Sequence, residues 1–222
     1  MKTLTVLAFV FILPTSTFGQ TADSPEEPEK DEIPYKERLG VRMGYVGTSS
    51  GLKDTFGAGL QLSAHYVHRL TTWFSFDTEL GVFYMGNTGG PYIAPDGAVF
   101  DEATVRVIAF TVSPQLDIGL GEKNTFYVSA GGGLYIVSLL LDDALFQFEQ
   151  TDDHFGMTAG VGLARRLTTN WFFDVNVKID KFWTSGLPED LTERIPLFYI
   201  LSNRDQDPIF FQVNVGLMLR LF

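Results

Sequence analysis

The sequence predicts an all-β fold, an eight-stranded antiparallel up-and-down β-barrel. Apolar and polar residues alternate with a period of two from Leu39 onward, as expected for strands with one apolar face. The alternation falls into eight segments, and a closed antiparallel barrel needs an even number of strands for its ends to meet. Short connections alternate with longer ones along the chain, which is the rhythm of strands that run up and down in turn.

The apolar residues of each segment share one parity and therefore one face of the strand. In chain order, the apolar faces of the eight strands include Val41, Leu60, Phe76, Phe110, Val128, Val161, Val177 and Val215. The chain also holds 22 Gly, 20 Phe and 8 Tyr at a mean hydropathy of +0.09. This composition is typical of a barrel with an apolar outside and a polar inside. We therefore expect a transmembrane β-barrel whose apolar face contacts lipid.

The predicted connections differ in length at the two ends of the barrel. The short ones are His68–Thr72, Gly119–Asn124 and Arg165–Asn170, and the longer ones are Thr48–Thr55, Gly86–Thr104, Leu141–His154 and Thr184–Asp207. Because the number of strands is even, both ends of the barrel chain fall on the side of the short turns. Pro114 lies within the fourth predicted strand, where it cannot donate to the ladder, and it predicts a local bulge.

The chain divides into three predicted segments. Residues 1–20 are typical of a signal peptide, with Lys2 ahead of the short apolar stretch Leu4–Leu13. Residues 21–37 are acidic, contain Pro and have few apolar side chains, and so predict a disordered leader. Residues 38–222 form the predicted barrel.

Composition narrows the possible functions. The chain has no Cys, so no disulfide stabilises it. Its formal net charge of −11 at pH 7 argues against a nucleic-acid partner. After the signal peptide no stretch is long and apolar enough to predict a transmembrane helix. We expect no metal or cofactor, because the sequence contains neither a spaced His cluster nor a Gly-rich phosphate loop.

The polar parity of the strands carries most of the candidate site residues. The charged side chains expected to point into the barrel are Arg42, Asp77, Glu79, Asp117, Asp174, Lys178 and Asp180. An eight-stranded barrel is just wide enough for side chains to fill its interior. Charges placed there must pair with one another or stay wet, because an unpaired buried charge is costly. The sequence therefore predicts a lumen that is plugged by a polar network. The alternative, which assigns these residues a more specific function, is a gated path for ions or protons.

Aromatic residues are predicted at the boundaries of the lipid-facing band. Trp73 and Trp171 each follow a short Arg-Leu-Thr-Thr turn, and Tyr45 and Tyr84 lie near the other ends of their strands. Trp and Tyr rings are most stable where a bilayer meets water. We expect these four residues to be interfacial aromatics.

Two sets of polar residues are candidates for a catalytic or ligand-binding site. Ser63 and His65 lie two residues apart on one inward face, a spacing that suits a nucleophile and its base, but no acidic partner for the histidine can be assigned. His154 follows Asp152 and Asp153 in a predicted outside loop, where a solvated histidine is the expected state. For both sets, a non-catalytic interpretation is favoured.

Taken together, the alternation, the turn rhythm and the terminal aromatic Phe222 resemble the small outer-membrane β-barrel family, typified by the transmembrane domain of outer-membrane protein A and by outer-membrane protein X. The resemblance covers about residues 38–222. It implies a location in the bacterial outer membrane with both termini in the periplasm. It also implies contact with outer-membrane lipid and lipopolysaccharide, and recognition of Phe222 by the barrel assembly machinery. The alternate positions before Phe222 depart from the family's pattern, since they hold Arg220, Met218 and Gly216.

The sequence favours a monomeric, non-enzymatic outer-membrane protein with a structural, envelope-integrity or surface-interaction role. Its contacts would come from the longer loops. The apolar run Ile195–Leu201 in one of these loops is expected to extend a hairpin, with an adhesive or partner-binding surface as the alternative. A narrow channel for ions or small molecules and a lipid A-modifying enzyme remain open as alternatives. So does a secreted lipocalin-like barrel, in which the apolar residues would line the inside.

Overall fold

The computed structural model describes residues 37–48, 56–87, 91–93, 99–142, 147–183 and 209–221. All of them belong to one compact unit, Ile33–Phe222. They contain ten strands, β1 (Glu37–Thr48), β2 (Gly59–Arg69), β3 (Phe74–Gly86), β4 (Tyr92–Ile93), β5 (Val99–Phe100), β6 (Glu102–Leu120), β7 (Asn124–Asp142), β8 (Gln147–Arg166), β9 (Trp171–Phe182) and β10 (Ile209–Arg220).

Eight of these strands form a closed barrel in the order β1-β10-β9-β8-β7-β6-β3-β2. Every pair is antiparallel, and β1 closes the cylinder because it pairs with β2 on one side and with β10 on the other. The pairing between β1 and β10 runs from Arg38↔Arg220 to Thr48↔Phe210. The short strands β4 and β5 form a separate two-stranded hairpin. The predicted all-β, eight-stranded up-and-down barrel is confirmed.

Side-chain exposure follows the predicted alternation. The outward Leu60 and Val177 are 63% and 46% exposed, whereas the inward Asp174 is 0% exposed. Exposed apolar residues of this kind occur on all eight barrel strands, so the outer surface is an apolar band rather than a set of isolated patches. Among the described residues, none lies in a helix with the length and apolar character needed to cross a bilayer.

The connections separate the barrel into two ends. At one end the turns after β2, β6 and β8 are short, and we call this the short-turn end; the opposite end is the long-loop end. Two predicted long loops are wrong in extent, because β6 already begins at Glu102, and β7 and β8 fill most of the predicted Leu141–His154 connection. β6 and β7 are 19 residues long and β8 is 20, and these extended strands lengthen the barrel at the long-loop end.

The bulge predicted at Pro114 is wrong. The register between β6 and β7 is the same on both sides of the proline, with Val112↔Gly132 before it and Gln115↔Ser129 after it. Pro114 itself stays opposite Phe76 of β3. The missing N–H therefore interrupts the ladder at this point without inserting a residue.

Several predictions lie outside the described residues. They are the signal peptide, the leader up to residue 36, the run Ile195–Leu201 and Phe222. Glu37, assigned to the leader by the prediction, is the first residue of β1.

Candidate functional site in the barrel interior

A buried ion network centred on Arg42 occupies the middle of the lumen. The Arg42 side chain is 2% exposed and contacts three carboxylates. Its Nη1 donates to Asp77 Oδ2 at 3.0 Å and to Glu79 Oε2 at 2.8 Å, and its Nε donates to Asp174 Oδ2 at 2.7 Å. A guanidinium suits this role because it offers several donors in a rigid plane. One cation thus joins β1, β3 and β9 across the lumen.

Lys178 and Tyr127 extend the Arg42 network. Lys178 Nζ lies 3.1 Å from Glu79 Oε1, so this carboxylate bridges the two mid-lumen cations. The Tyr127 hydroxyl donates to Asp174 Oδ1 at 2.7 Å and accepts from Arg42 Nη2 at 3.3 Å. The Tyr127 ring lies over Gly162, where any Cβ would meet it, so this approach requires glycine.

Asp180 lies nearer the long-loop end and is held by neutral donors. It is 0% exposed and accepts from the Tyr135 hydroxyl at 2.9 Å and from the side-chain amide of Gln212. Beside it, the Asn214 amide donates to Asn176 Oδ1 at 2.9 Å. Asp180 is therefore satisfied by hydrogen bonds rather than by a direct ion pair of the kind that Arg42 makes.

Asp117 belongs to a separate cluster near the short-turn end. It accepts from Arg69 Nη2 at 3.1 Å, from the Ser75 hydroxyl at 3.0 Å and from the Gln115 amide at 2.6 Å. The structure thus places all seven predicted side chains inside the barrel, five of them in the Arg42 network. Sequence reasoning missed the inward cations Arg38 and Arg69, although the parity of their strands would have found them.

Apolar layers close the lumen at both ends, and these were not predicted. At the short-turn end Val67, Ala164, Phe172 and Met218 pack with the Tyr127 ring. The long-loop end is filled by a larger cluster: Val46, Phe56, Phe83, Met85, Ala103, Val105, Val107, Ala109, Tyr135, Val137, Leu139, Leu141, Phe182 and Phe210. The expectation that polar side chains fill the whole lumen therefore holds for its middle and is wrong for its ends.

Aromatic rings stack across the long-loop end of the lumen. The Phe182 ring lies 5.2 Å from Phe210 and 5.5 Å from Tyr135, and Phe210 lies 6.4 Å from Phe83. The sequence carries a signal for this layer, because residues 105–110 and 139–141 are apolar at nearly every position instead of alternating. A strand segment that is apolar on both faces suits an apolar environment on both sides, here the aromatic layer inside the barrel and the apolar band outside it.

The polar middle leaves little free volume. One cavity of about 10 Å³ lies within it, lined by Arg42, Asp77, Glu79, Thr111, Ser113, Ser129, Asn176 and Lys178. That volume is at the lower limit for a single water, roughly 10–15 Å³.

Ser63, His65 and His154, the candidate residues of the two polar sets, are all buried. Ser63 accepts from the Gln61 amide at 3.2 Å, and His65 Nδ1 lies 3.6 Å from Asp77 Oδ1, which supplies the acidic partner that the sequence did not reveal. The prediction that His154 is solvated in a loop is wrong. It lies in β8, points inward and stacks on Phe182 at 5.3 Å, with its Nε2 3.4 Å from Asp152. Among the described residues no group of three or more ligand side chains is placed to hold a metal ion.

The four predicted interfacial aromatics all point outward. Trp73 and Trp171 lie at the short-turn end, where β3 and β9 begin. Tyr45 and Tyr84 flank Leu60 on the neighbouring strands, toward the long-loop end. An outward position at the strand ends suits an interfacial role.

Solved structures with the same fold are outer-membrane barrels. No protein-family model and no curated protein sequence matches the chain. Neisserial surface protein A superposes with a TM-score of 0.57 at 11% identity, covering 84% of this chain and 97% of that one. A major outer membrane protein from Thermus thermophilus has a TM-score of 0.53 at 13% identity, covering 83% and 99%. The chain therefore has the fold of the small eight-stranded outer-membrane β-barrels.

Proposed function

We propose that the chain is an integral protein of a bacterial outer membrane, with its short-turn end and both termini on the periplasmic side. The apolar band around all eight strands supports this placement, because such a surface is stable only against hydrocarbon or a partner. The similar structures are named as a surface protein and a major outer membrane protein. A closed ladder also leaves no strand edge unpaired in the bilayer.

We propose further that the barrel does not conduct solutes. The observation that carries this proposal is the layering of the lumen, in which the Arg42 network lies between two apolar layers. An ion crossing the barrel would have to separate the stacked rings of Phe182 and Phe210 and then displace paired charges. Both steps are unfavourable, because packed interiors have few voids and buried ion pairs are costly to break.

For a barrel that does not conduct solutes, the proposed role is structural or one of surface interaction. The extended strands β6, β7 and β8 project at the long-loop end and form a broad surface there. In the proposed placement, this surface contacts lipopolysaccharide and the cell exterior. The protein would act as a monomer that supports envelope integrity or contacts a partner through this surface. Phe222 would serve as its signal for the barrel assembly machinery.

A catalytic role receives less support from the site. Ser63 and His65 are 3% and 1% exposed and lie inside the lumen, so a lipid substrate on the outer surface has no access to them. A general base must come within hydrogen-bond reach of the proton that it abstracts. The lipid A-modifying alternative would require the packed lumen to open.

Planar-bilayer recording tests the sealed barrel directly. The full chain, refolded and shown to be folded by its heat-modifiable gel mobility, should insert without producing conductance steps above the protein-free baseline. Insertion is verified in the same sample by protection of the barrel from protease. Reproducible unitary steps that scale with the amount of folded protein would contradict the proposal and favour the narrow channel.

A further inference from the structure

Cationic residues collect at the short-turn end of this otherwise acidic chain. Lys123 lies in the turn between β6 and β7, and Arg165 and Arg166 are the last residues of β8. The whole chain has a formal net charge of −11, but here Lys123, Arg165 and Arg166 outnumber Glu122, which lies in the same turn as Lys123. A local excess of Lys and Arg at a membrane boundary attracts anionic lipid.

A pocket of about 270 Å³ lies between two of the short turns at this end. It is lined by Lys123, Arg166, Leu167, Thr168 and Thr169. The backbone N–H of Arg166 donates to the carbonyl oxygen of Lys123 at 2.7 Å and thereby joins the two turns. The pocket is thus lined by two cationic and two hydroxyl-bearing residues, which are residue types suited to phosphate oxygens.

The turn between β8 and β9 is itself rigidly built. The N–H groups of Leu167 and Thr168 both donate to the carbonyl oxygen of Trp171, at 2.9 and 3.3 Å. Thr168 Oγ1 in turn accepts from the N–H groups of Asn170 and Trp171. Side chains on this turn therefore keep a defined position relative to Lys123.

Apolar side chains lie beside the cationic pocket. Leu167 lines the pocket and is 55% exposed, and the Trp171 side chain on the same turn is exposed as well. Exposed Leu and Trp next to Lys and Arg suit a molecule with an anionic head and an apolar body. A free anion would make no use of these apolar surfaces.

The turn between β2 and β3 provides an internal comparison. It repeats the Arg-Leu-Thr-Thr sequence, and Leu70 and Thr71 donate to the carbonyl oxygen of Phe74 in the same pattern. There, Arg69 pairs with Asp117 at 3.1 Å. Arg166 occupies the corresponding position in the second copy of the turn and lines the pocket together with Lys123.

We propose that this pocket binds the phosphate group of an anionic phospholipid headgroup in the leaflet at the short-turn end. Lys123 and Arg166 contact the phosphate oxygens, Thr168 and Thr169 flank them, and Leu167 and Trp171 contact the start of the acyl chains. The inference rests on the membrane placement proposed above. Its ligand is a phosphatidylglycerol-like lipid.

The test is a lipid titration of the full chain in neutral detergent micelles. Dihexanoylphosphatidylglycerol is added, and amide chemical shifts of Lys123 and residues 166–169 report binding. The lipid should shift these amides saturably, whereas dihexanoylphosphatidylcholine and inorganic phosphate should need at least about tenfold higher concentrations. The double variant Lys123→Gln/Arg166→Gln should weaken binding about tenfold or more, because it removes both cations proposed to contact the phosphate.

Arg165→Gln is the matched control, because it removes an exposed cation from the same strand that does not line the pocket. It should change the lipid affinity less than about twofold, whereas the double variant should lose about tenfold or more. Unchanged binding in the double variant, or an equal loss with Arg165→Gln, would overturn the proposal. Inorganic phosphate binding as tightly as the lipid would also overturn it and indicate a free-anion site. If the double variant does not fold, Lys123→Gln alone, in an exposed turn, decides the question.

This titration does not depend on where the protein resides in the cell. A chain that binds the lipid in micelles but does not fractionate with the outer membrane would contradict only the proposed location. A chain that fractionates with the outer membrane but shows no lipid-dependent shifts would contradict only the headgroup site.

Discussion

Replacing Arg42 with methionine should destabilise the folded barrel by about 3–5 kcal/mol. The substitution keeps an unbranched side chain but removes the only group that contacts Asp77, Glu79 and Asp174 together in the described interior. Three carboxylates would then share the site with Lys178, which contacts only Glu79 among them at ion-pair distance. Breaking a buried pair is costly because it leaves charge buried without compensation. Urea unfolding in lipid bilayers, followed by tryptophan fluorescence, measures the loss.

Arg106→Met is the control for the Arg42 substitution. Arg106 also pairs with a carboxylate, Glu149 at 2.7 Å, but the two side chains are 31% and 49% exposed on the extended strands. An ion pair of this kind contributes about 0–1 kcal/mol. Equal small losses at both positions would contradict the central role that the lumen network has in stability.

Placing an arginine at Val177 should cost about 2–4 kcal/mol in a bilayer. Val177 lies in the middle of β9, faces outward and pairs with Val161 and Val213 on the adjacent strands. An arginine there would place a guanidinium in hydrocarbon, where its charge loses its hydration. The free energy of unfolding in bilayers, obtained from reversible urea titration, gives the magnitude.

Leu120→Arg tests whether this cost depends on depth. Leu120 is exposed too, but it is the last residue of β6, beside a short turn. At the interface the same change should cost roughly 0–1 kcal/mol. A Val177→Arg variant as stable as the wild type would contradict the lipid-facing band, since an exposed valine in a water-soluble protein tolerates such a change.

Alternation alone predicts much of the fold and the direction of the site residues. Successive side chains of a strand point to opposite faces, so Arg42, Asp77 and Asp174 had to share the inside once the apolar residues were placed outside. The short turns, marked by polar residues, then separate the strands. These are local properties, and a single sequence contains them.

The partners of each charge could not be predicted, because they depend on the register and on contacts across the lumen. Arg42 and Asp174 are 132 residues apart in sequence, and nothing local links them. The apolar ends of the lumen were missed for a different reason: inward Val107 and Leu139 are followed by the apolar residues Ile108 and Leu140, so their segments do not alternate strictly. His154 was misplaced because its strand continues beyond the alternating part.

Spin labelling in lipid bilayers tests most directly whether the outer face of the barrel lies in hydrocarbon. The chain has no Cys, so single cysteines at Leu62, Val161 and Val177 can each carry one nitroxide. All three should collide readily with dissolved oxygen and hardly at all with a water-soluble nickel chelate, whereas a label at Thr169 in a short turn should meet the chelate freely. Strong chelate collisions at the three strand positions would show that these faces lie in water and would contradict the transmembrane barrel.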